Sequence, residues 1–501
     1  MKILAIVVFS LLLTTAFAQD LDFHPASGPE ATLYAKSRQS QIDFWKSLTA
    51  DVFPTKGNKN ISNPELKRRT DKLLLFSTYC LVDGFDSPID KDFTYATVLV
   101  QQGDISKLDP LLIWSAAVSI GDTRRMYDIS KIYLDQQDHL PDNASSQPSI
   151  LSVYPLSMRL CWRRNFDPET SQSQINEGVA LAQRLAMTLD GIIRSHACDS
   201  HPEVFIQLGS NLHNCIPSHT ELILATVTKA LQEAGTTPWL AKSLLASLHI
   251  NTAWSYRSNS WGNEVTDEGW SGFRKHLALA DPLLEEAYAL NPKEPILCKM
   301  GIGVAGCSTS TNDANTWLVR SITACFDYLP SLDSRLNYLL PRWGGDYQAM
   351  LDLGKACLDT KRFDTEVPWF YVTCLQEIMA DARQMKKLDQ MKALFNSPQV
   401  EQALNQCFNG YTTKDPIRAR QIVSTKGSWL WLCGRSEEAK VLLKTLPRSA
   451  YYDLGRRLLY VDKNTILGPD PDINRPRKIK KPTPEPEPEP EPSTVPEKPN
   501  F

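Results

Sequence analysis

The segment from Trp261 to Trp270 sets Glu264, Asp267 and Glu268 between two indoles, with Asn263 beside them. Paired carboxylates next to aromatic rings are what glycosidic hydrolysis requires: one acid, one base or nucleophile, and flat faces on which a sugar stacks. A local reading competes with that one. Thr266 followed by Asp267 and Glu268 is a helix N-cap with acids in the first turn, and Trp270 and Phe273 then fall on the apolar face of the helix they begin. The local reading is the stronger one, so no residue is assigned a catalytic role. Trp261, Asn263, Glu264, Asp267 and Trp270 stand instead as ligand- or partner-contact residues, because conspicuous Trp and Asn outside a packing face are not needed for a core. The two readings separate on geometry. An enzyme needs two carboxylates converging in a pocket, whereas a scaffold shows these acids as helix caps facing solvent.

A second constellation, Arg342-Trp343-Gly344-Gly345-Asp346, sits between two helical stretches. Its glycines permit a left-handed exit and a close backbone approach. Arg342 and Trp343 join the contact residues, and the favoured role is structural: they stack on or pair with the Trp261–Trp270 loop.

Four of the eight His fall in one window with two Cys: His196, Cys198, His201, His213, Cys215 and His219. Imidazole and thiolate are ligands that zinc favours, and four of them would close a tetrahedron. The spacings match no zinc finger, and Cys198 with Cys215 makes an equally good disulfide, so no metal is assigned. Cys298 and Cys307 form the other closely spaced candidate pair. The eleven Cys are an odd number, which leaves at least one unpaired. Several, such as Cys325, Cys374 and Cys433, sit on apolar helical faces as small hydrophobes. There is no Cys-x-x-Cys, phosphate-cradling Gly loop, Gly-x-Ser-x-Gly elbow or His-Glu-x-x-His, and no cofactor is expected.

The elements that must carry these residues are read from pattern. Lys2, the apolar run Ile3 to Leu13 and the small-x-small ending Ala16-Phe17-Ala18 make residues 1–18 a cleavable signal, with a mature start near Gln19. The expected location is periplasmic or secreted, with no membrane span in the mature chain. A net charge of −3 provides no basic field for nucleic acid. Between about residues 30 and 465 the apolar positions recur with helical period, and turn pairs such as Gly235-Thr236, Asn291-Pro292 and Gly434-Arg435 punctuate them. Asp281 to Pro295 reads as a helix opening at Pro282, aligning Leu283, Leu284, Ala287 and Leu290, and stopping at Asn291-Pro292. Trp429 to Leu446 carries a Gly-x-x-x-Glu-Ala turn between two helices, as in a tetratricopeptide hairpin. The expected fold is therefore all-α, an irregular tetratricopeptide-like α-solenoid. It divides into a helical region at 19–235, a helical-repeat region at 236–466 and a tail at 467–501. In the tail, strict Pro-Glu alternation from Pro484 to Pro492 forbids helix and sheet and predicts an extended or disordered segment.

The block from Leu248 to Met350 resembles the bacterial domain-of-unknown-function family 4034. The resemblance is carried by Ile250 to Trp254, Arg257, Trp261 to Trp270, Phe273, the hairpin at Ala287 to Pro292, Trp317 and Leu340 to Gly345. Ser258 and Ser260 stand where glycines are expected. The resemblance implies an exported or envelope-associated helical protein and supplies no reaction. The function expected from all this is an exported helical-repeat scaffold that binds a protein or cell-wall-associated partner. The alternative is a helical carbohydrate-active enzyme or sugar-binding module using the Trp261–Trp270 loop.

Overall fold

The computed structural model describes residues 122–138, 150–166, 171–200, 202–258, 260–307, 310–411 and 416–446, with isolated positions at 43, 113, 116 and 117. The signal segment and the Pro-Glu tail lie outside the described residues. All regular structure among the described residues is helical, with no strand. The chain forms two compact units, residues 1–419 and 420–501.

In the first unit, α1 (Thr123–Asp138), α2 (Ile150–Phe166) and α3 (Gln172–Arg194) precede two short helices, α4 (Ala197–Ser200) and α5 (Pro202–Leu208), and a 3-10 segment at Gly209–Asn214. Then come α6 (Pro217–Ala234), α7 (Pro238–Arg257), α8 (Asp267–Leu290), α9 (Pro295–Gly306) and α10 (Ala314–Ala324). After these follow α11 (Leu329–Tyr338), α12 (Tyr347–Asp359), α13 (Phe370–Gln384), α14 (Leu388–Phe395) and α15 (Pro398–Gly410). Local chemistry explains the boundaries. Ser171 and Gln174 close a reciprocal capping box on α3, and Asp313, Asp346 and Ser397 each accept a backbone N–H at a helix start. Gly235 ends α6 at φ 67°, in the turn where the two helical regions were expected to meet, and Pro238 opens α7.

The principal contacts join helices close together in the chain: α3 with α6, α6 with α7, α7 with α8, α8 with α9, α9 with α10 and α11, and α12 with α13. Ala182, Leu185, Ile223, Leu240 and Ile296 belong to one buried cluster. In the second unit, α16 (Pro416–Leu432), which begins before residue 420, hands over to α17 (Ser436–Leu443) through Gly434 at φ 78°. Glu437 and Glu438 occupy the first turn of α17, as the Gly-x-x-x-Glu-Ala reading requires.

Two expectations are corrected. Pro282 does not begin a helix; it lies inside α8, which runs unbroken from Asp267 to Leu290. The buried carboxylate of Asp281 just before it accepts from Ser310 Oγ at 2.7 Å, Thr311 N at 2.9 Å and Thr311 Oγ1 at 2.7 Å. The helix does stop at Asn291, as read. The cysteine pairs also differ. Cys298 lies near one end of α9 and Cys307 caps the other, about 13 Å apart along the axis, well beyond the roughly 7 Å a disulfide spans. The sulfur of Cys215 faces Cys161 Sγ at 2.7 Å instead of Cys198, and all of these thiols are free. Burial raises the Cys215 thiol well above its ordinary range, with Cys161 adding to the effect.

Trp317 of α10 is fully buried against α9, where a Cβ on Gly301 would meet its ring at 2.2 Å. Tyr288 meets the same indole edge-on at 5.8 Å, and the Arg320 guanidinium lies 4.5 Å from both ring centroids while pairing with Glu285 at 3.0 Å. Gly303, on the same helix, has nothing nearer its Cβ position than 3.8 Å. Two neighbouring Gly-to-Ala changes should therefore have opposite signs. Gly301→Ala overpacks the interface and lowers stability by about 1–3 kcal/mol. Gly303→Ala gains helix propensity and raises it by up to about 1 kcal/mol. Urea denaturation followed by circular dichroism checks both, and a Gly301→Ala midpoint at or above the parent's contradicts the close approach.

Candidate functional site

Arg257 is the last residue of α7, and its guanidinium collects the two tryptophan constellations. The guanidinium carbon lies 5.7 Å from the rings of Trp254 and Trp270 and 5.5 Å from that of Trp343. Trp343 meets Trp254 edge-on at 5.8 Å, and Phe273 meets both Trp254 and Trp270 the same way, at 5.1 and 5.8 Å. Arg257 Nη1 donates to the carbonyls of Ser258 at 2.9 Å and Ser260 at 2.6 Å, so the chain leaving the helix wraps around the charge. Ser258 takes φ 61° with ψ −176°, an extended positive-φ conformation that favours glycine, at a position where glycine was expected. Burial lowers the Arg257 pKa from its ordinary value.

The acids of the loop face solvent. Glu264 Oε2 accepts from the Trp261 amide at 3.1 Å across the 3-10 turn Gly262–Glu264. Thr266 accepts from Gly269 N at 3.0 Å as the N-cap of α8, followed by Asp267 and Glu268 in its first turn. Glu264, Asp267 and Glu268 are all exposed, and they do not line the cavity between α7 and α9. Asn263 is exposed, Trp270 is half-buried, and the Trp261 indole projects outward with 57% of its surface free.

Arg342 and Trp343 point to different partners. Trp343 joins the Arg257 cluster, while Arg342 Nη1 reaches Gln384 Oε1 at 3.3 Å and Asp381 at 3.8 Å on α13. Asp381 also accepts from Tyr347 Oη at 2.7 Å. The left-handed residue of the turn is Gly344, at φ 90°. Gly345 serves the close approach: a Cβ there would lie 2.1 Å from the Leu339 carbonyl oxygen.

The described residues of the His-Cys window disperse, His201 lying outside them. His196 Nδ1 lies 3.0 Å from Asp199, Cys215 faces Cys161, and His213 lines the cavity between α7 and α9. His219 is buried, which pushes its pKa down to about 4. Among the described residues no group of three or more His, Cys, Asp or Glu is placed to hold a metal ion.

Sequence reasoning missed a polar relay through three helices. His249 Nδ1 of α7 and His276 Nδ1 of α8 lie 3.0 Å apart, and His276 Nε2 lies 3.0 Å from Glu221 Oε1 of α6. Tyr256 Oη donates to the same carboxylate oxygen at 3.2 Å, and its ring stacks on His276 at 5.6 Å. A carboxylate on one imidazole nitrogen fixes the proton there, leaving the other nitrogen to accept from the neighbouring ring. Burial is the main cause of a His249 pKa near 4, helped by His276 and Lys275, and burial also lowers His276. The residues are 27 and 55 positions apart, so no local spacing signals the relay.

No protein-family profile matches the chain, and no curated protein or solved structure matches it significantly.

Two predictions follow from this geometry. Gly345→Ala should destabilise by about 1–3 kcal/mol despite the ordinary φ, whereas Gly344→Asn should cost under about 1 kcal/mol because Asn tolerates the left-handed region. Thermal melts of both variants decide it, and an unchanged Gly345→Ala melting temperature means the Leu339 carbonyl can move aside. The second concerns pH. His249 has a folded pKa of about 4, below the ordinary 6.5, so the unfolded chain binds more protons between these values. Its stabilisation is full above about pH 6.5 and is lost as pH falls toward 4, with a slope of up to about 1.4 kcal/mol per pH unit. Urea midpoints measured from pH 7 to 4.5 should fall less steeply in His249→Gln than in the parent; parallel curves would contradict the assignment.

Proposed function

We propose that the chain is an exported helical-repeat scaffold or interaction protein of the cell envelope, binding a protein or cell-wall-associated partner. The observation that carries this reading is the placement of the Trp261–Trp270 acids as solvent-facing caps, with the Trp261 indole held outward on a turn that the Arg257 cluster anchors. Exposed Trp beside polar neighbours is the composition of interface anchors. Contacts that run mainly between helices close together in the chain support a tetratricopeptide-like stacking of hairpins. The signal pattern at residues 1–18 supports export, and the motif residues between 248 and 350 support kinship with family 4034. The Pro-Glu tail serves on this reading as an extended spacer. A sugar-binding module is the second reading, favoured by the same exposed indole, since a free Trp face stacks on pyranose rings.

Photo-crosslinking separates them. A photoreactive phenylalanine replacing Trp261 should crosslink to one discrete envelope protein or peptidoglycan fragment, while the same group at Met187, which is 72% exposed on α3, should not. Trp261→Ala should abolish the interaction without changing the melting temperature. Equal crosslinking at both positions, or none at either, removes the partner-binding proposal. Quenching of Trp fluorescence by soluble oligosaccharides, lost in Trp261→Ala and without any crosslinked partner, selects the sugar-binding reading.

A further inference from the structure

A cavity of about 400 Å³ opens between α7 and α9, with Ile206 of α5 and His213 of the 3-10 segment also in its lining. This volume lies within the roughly 300–1,000 Å³ of small-molecule sites. Ile206, Ile250, Trp254, Ile296 and Met300 give it apolar walls. The only Lys, Arg, Asp or Glu in its lining is Lys299, on α9.

Lys299 is half-buried, and its ammonium has no ion pair within 4 Å among the described residues. Glu203 and Asp333 act on it from a distance, but burial outweighs them and lowers its pKa. Glu203 accepts from Tyr328 Oη at 2.9 Å and does not line the cavity. Glu294, which precedes α9, is pushed up to about 7 by burial and by Glu203. Glu203 and Asp333 offset only part of the cost of burying the Lys299 ammonium, and an anion bound directly against it would favour its charged form further. Asn251 adds a second polar point. Its Nδ2 donates to the Ser247 carbonyl at 2.8 Å, while its Oδ1 accepts from no described residue, although 95% of the residue is buried (relative exposure 5%) in the cavity wall. Ser247 is occupied, donating to the Ile206 carbonyl at 3.1 Å.

We propose that this cavity is a binding site for a small amphipathic acid, an aliphatic chain ending in a carboxylate. The carboxylate pairs with Lys299, the chain lies along Ile250, Trp254, Ile296 and Met300, and Asn251 Oδ1 is left to accept from a hydroxyl or amide N–H on the ligand. The site would be separate from the exposed Trp261 surface, and the proposal stands whether or not that surface binds a partner.

Isothermal titration of the full chain with decanoate below its micelle concentration, and with the neutral decanol, tests it. Decanoate should bind with one-to-one stoichiometry, and decanol about tenfold or more weaker, since a hydrogen-bonded charge pair is lost. Lys299→Met should bring decanoate down to the level of decanol while leaving decanol binding unchanged. Ile250→Phe, which fills the cavity, should weaken both ligands, with circular dichroism confirming that each variant is folded. Phosphatidylglycerol vesicles form a third arm: retention of the chain on vesicles without saturable decanoate binding would assign the anion preference to a lipid surface and overturn the proposal. Equal affinity for decanoate and decanol, an affinity unchanged in Lys299→Met, or no binding would each overturn it as well.

Discussion

The guanidinium of Arg257 is the constraint on which the middle of the molecule depends. It stands at the end of α7, where helical carbonyls lack partners and a positive charge is favoured. Two loop carbonyls bend toward it, and rings from α7, α8 and the turn at 341–343 close around it. Each cation–π contact of this kind contributes about 0.5–2 kcal/mol, but the geometric effect is larger than any one of them. A single charge fixes the exit direction of α7, the entry of α8 and the position of the turn that follows α11. The positive φ of Ser258 accompanies that wrapping.

Helix α7 is unusual for how little of it is an apolar stripe. Ser243, Ser247, Asn251, Thr252 and Ser255 are all buried along it. Their burial is tolerated because each finds an acceptor. Ser243, Asn251 and Thr252 donate to carbonyls one turn back, Ser255 to Thr252, and Ser247 crosses to the Ile206 carbonyl. Buried hydroxyls satisfied in this way cost little and pack closely. The helix can therefore be covered on several sides, by α6, α8, the 3-10 segment and α5. A helix with a single apolar face could not serve as that shared wall.

What the sequence made legible was local. Thr266 with its first-turn acids, the stop at Asn291 and the Gly434 turn each depend on residues within one helical turn, and each is present. Pro282 misled because proline at a helix start and proline inside a long helix have the same immediate neighbours. The buried anchoring of Asp281 by Ser310 and Thr311 was beyond local view. The cysteine pairs misled for a related reason. Closeness in sequence favoured Cys198 with Cys215 and Cys298 with Cys307, whereas Cys161 reaches Cys215 across 54 positions by the packing of α2. Trp343 and Trp270 are connected through the Arg257 guanidinium that both rings approach. That an arginine from neither motif joins them was not readable.

Trp254 connects the two features of α7 that carry functional proposals. Its indole meets Phe273, Trp343 and the Arg257 charge, and the residue also lines the cavity to which Lys299 belongs. A ring held by edge contacts from separate segments has little freedom to rotate, so that part of the cavity wall is set before any ligand arrives. The backbone of Ile206, also in the lining, is tied to α7 by the Ser247 hydroxyl, which donates to its carbonyl. Preformed walls lower the ordering cost of binding and make the unpaired ammonium, rather than the apolar surface, the discriminating element of the cavity. The exposed Trp261 turn draws its rigidity from the same cluster through Trp270. Substitutions at Trp254 or Arg257 are therefore expected to disturb the turn and the cavity together, whereas Trp261 and Lys299 each act on one alone.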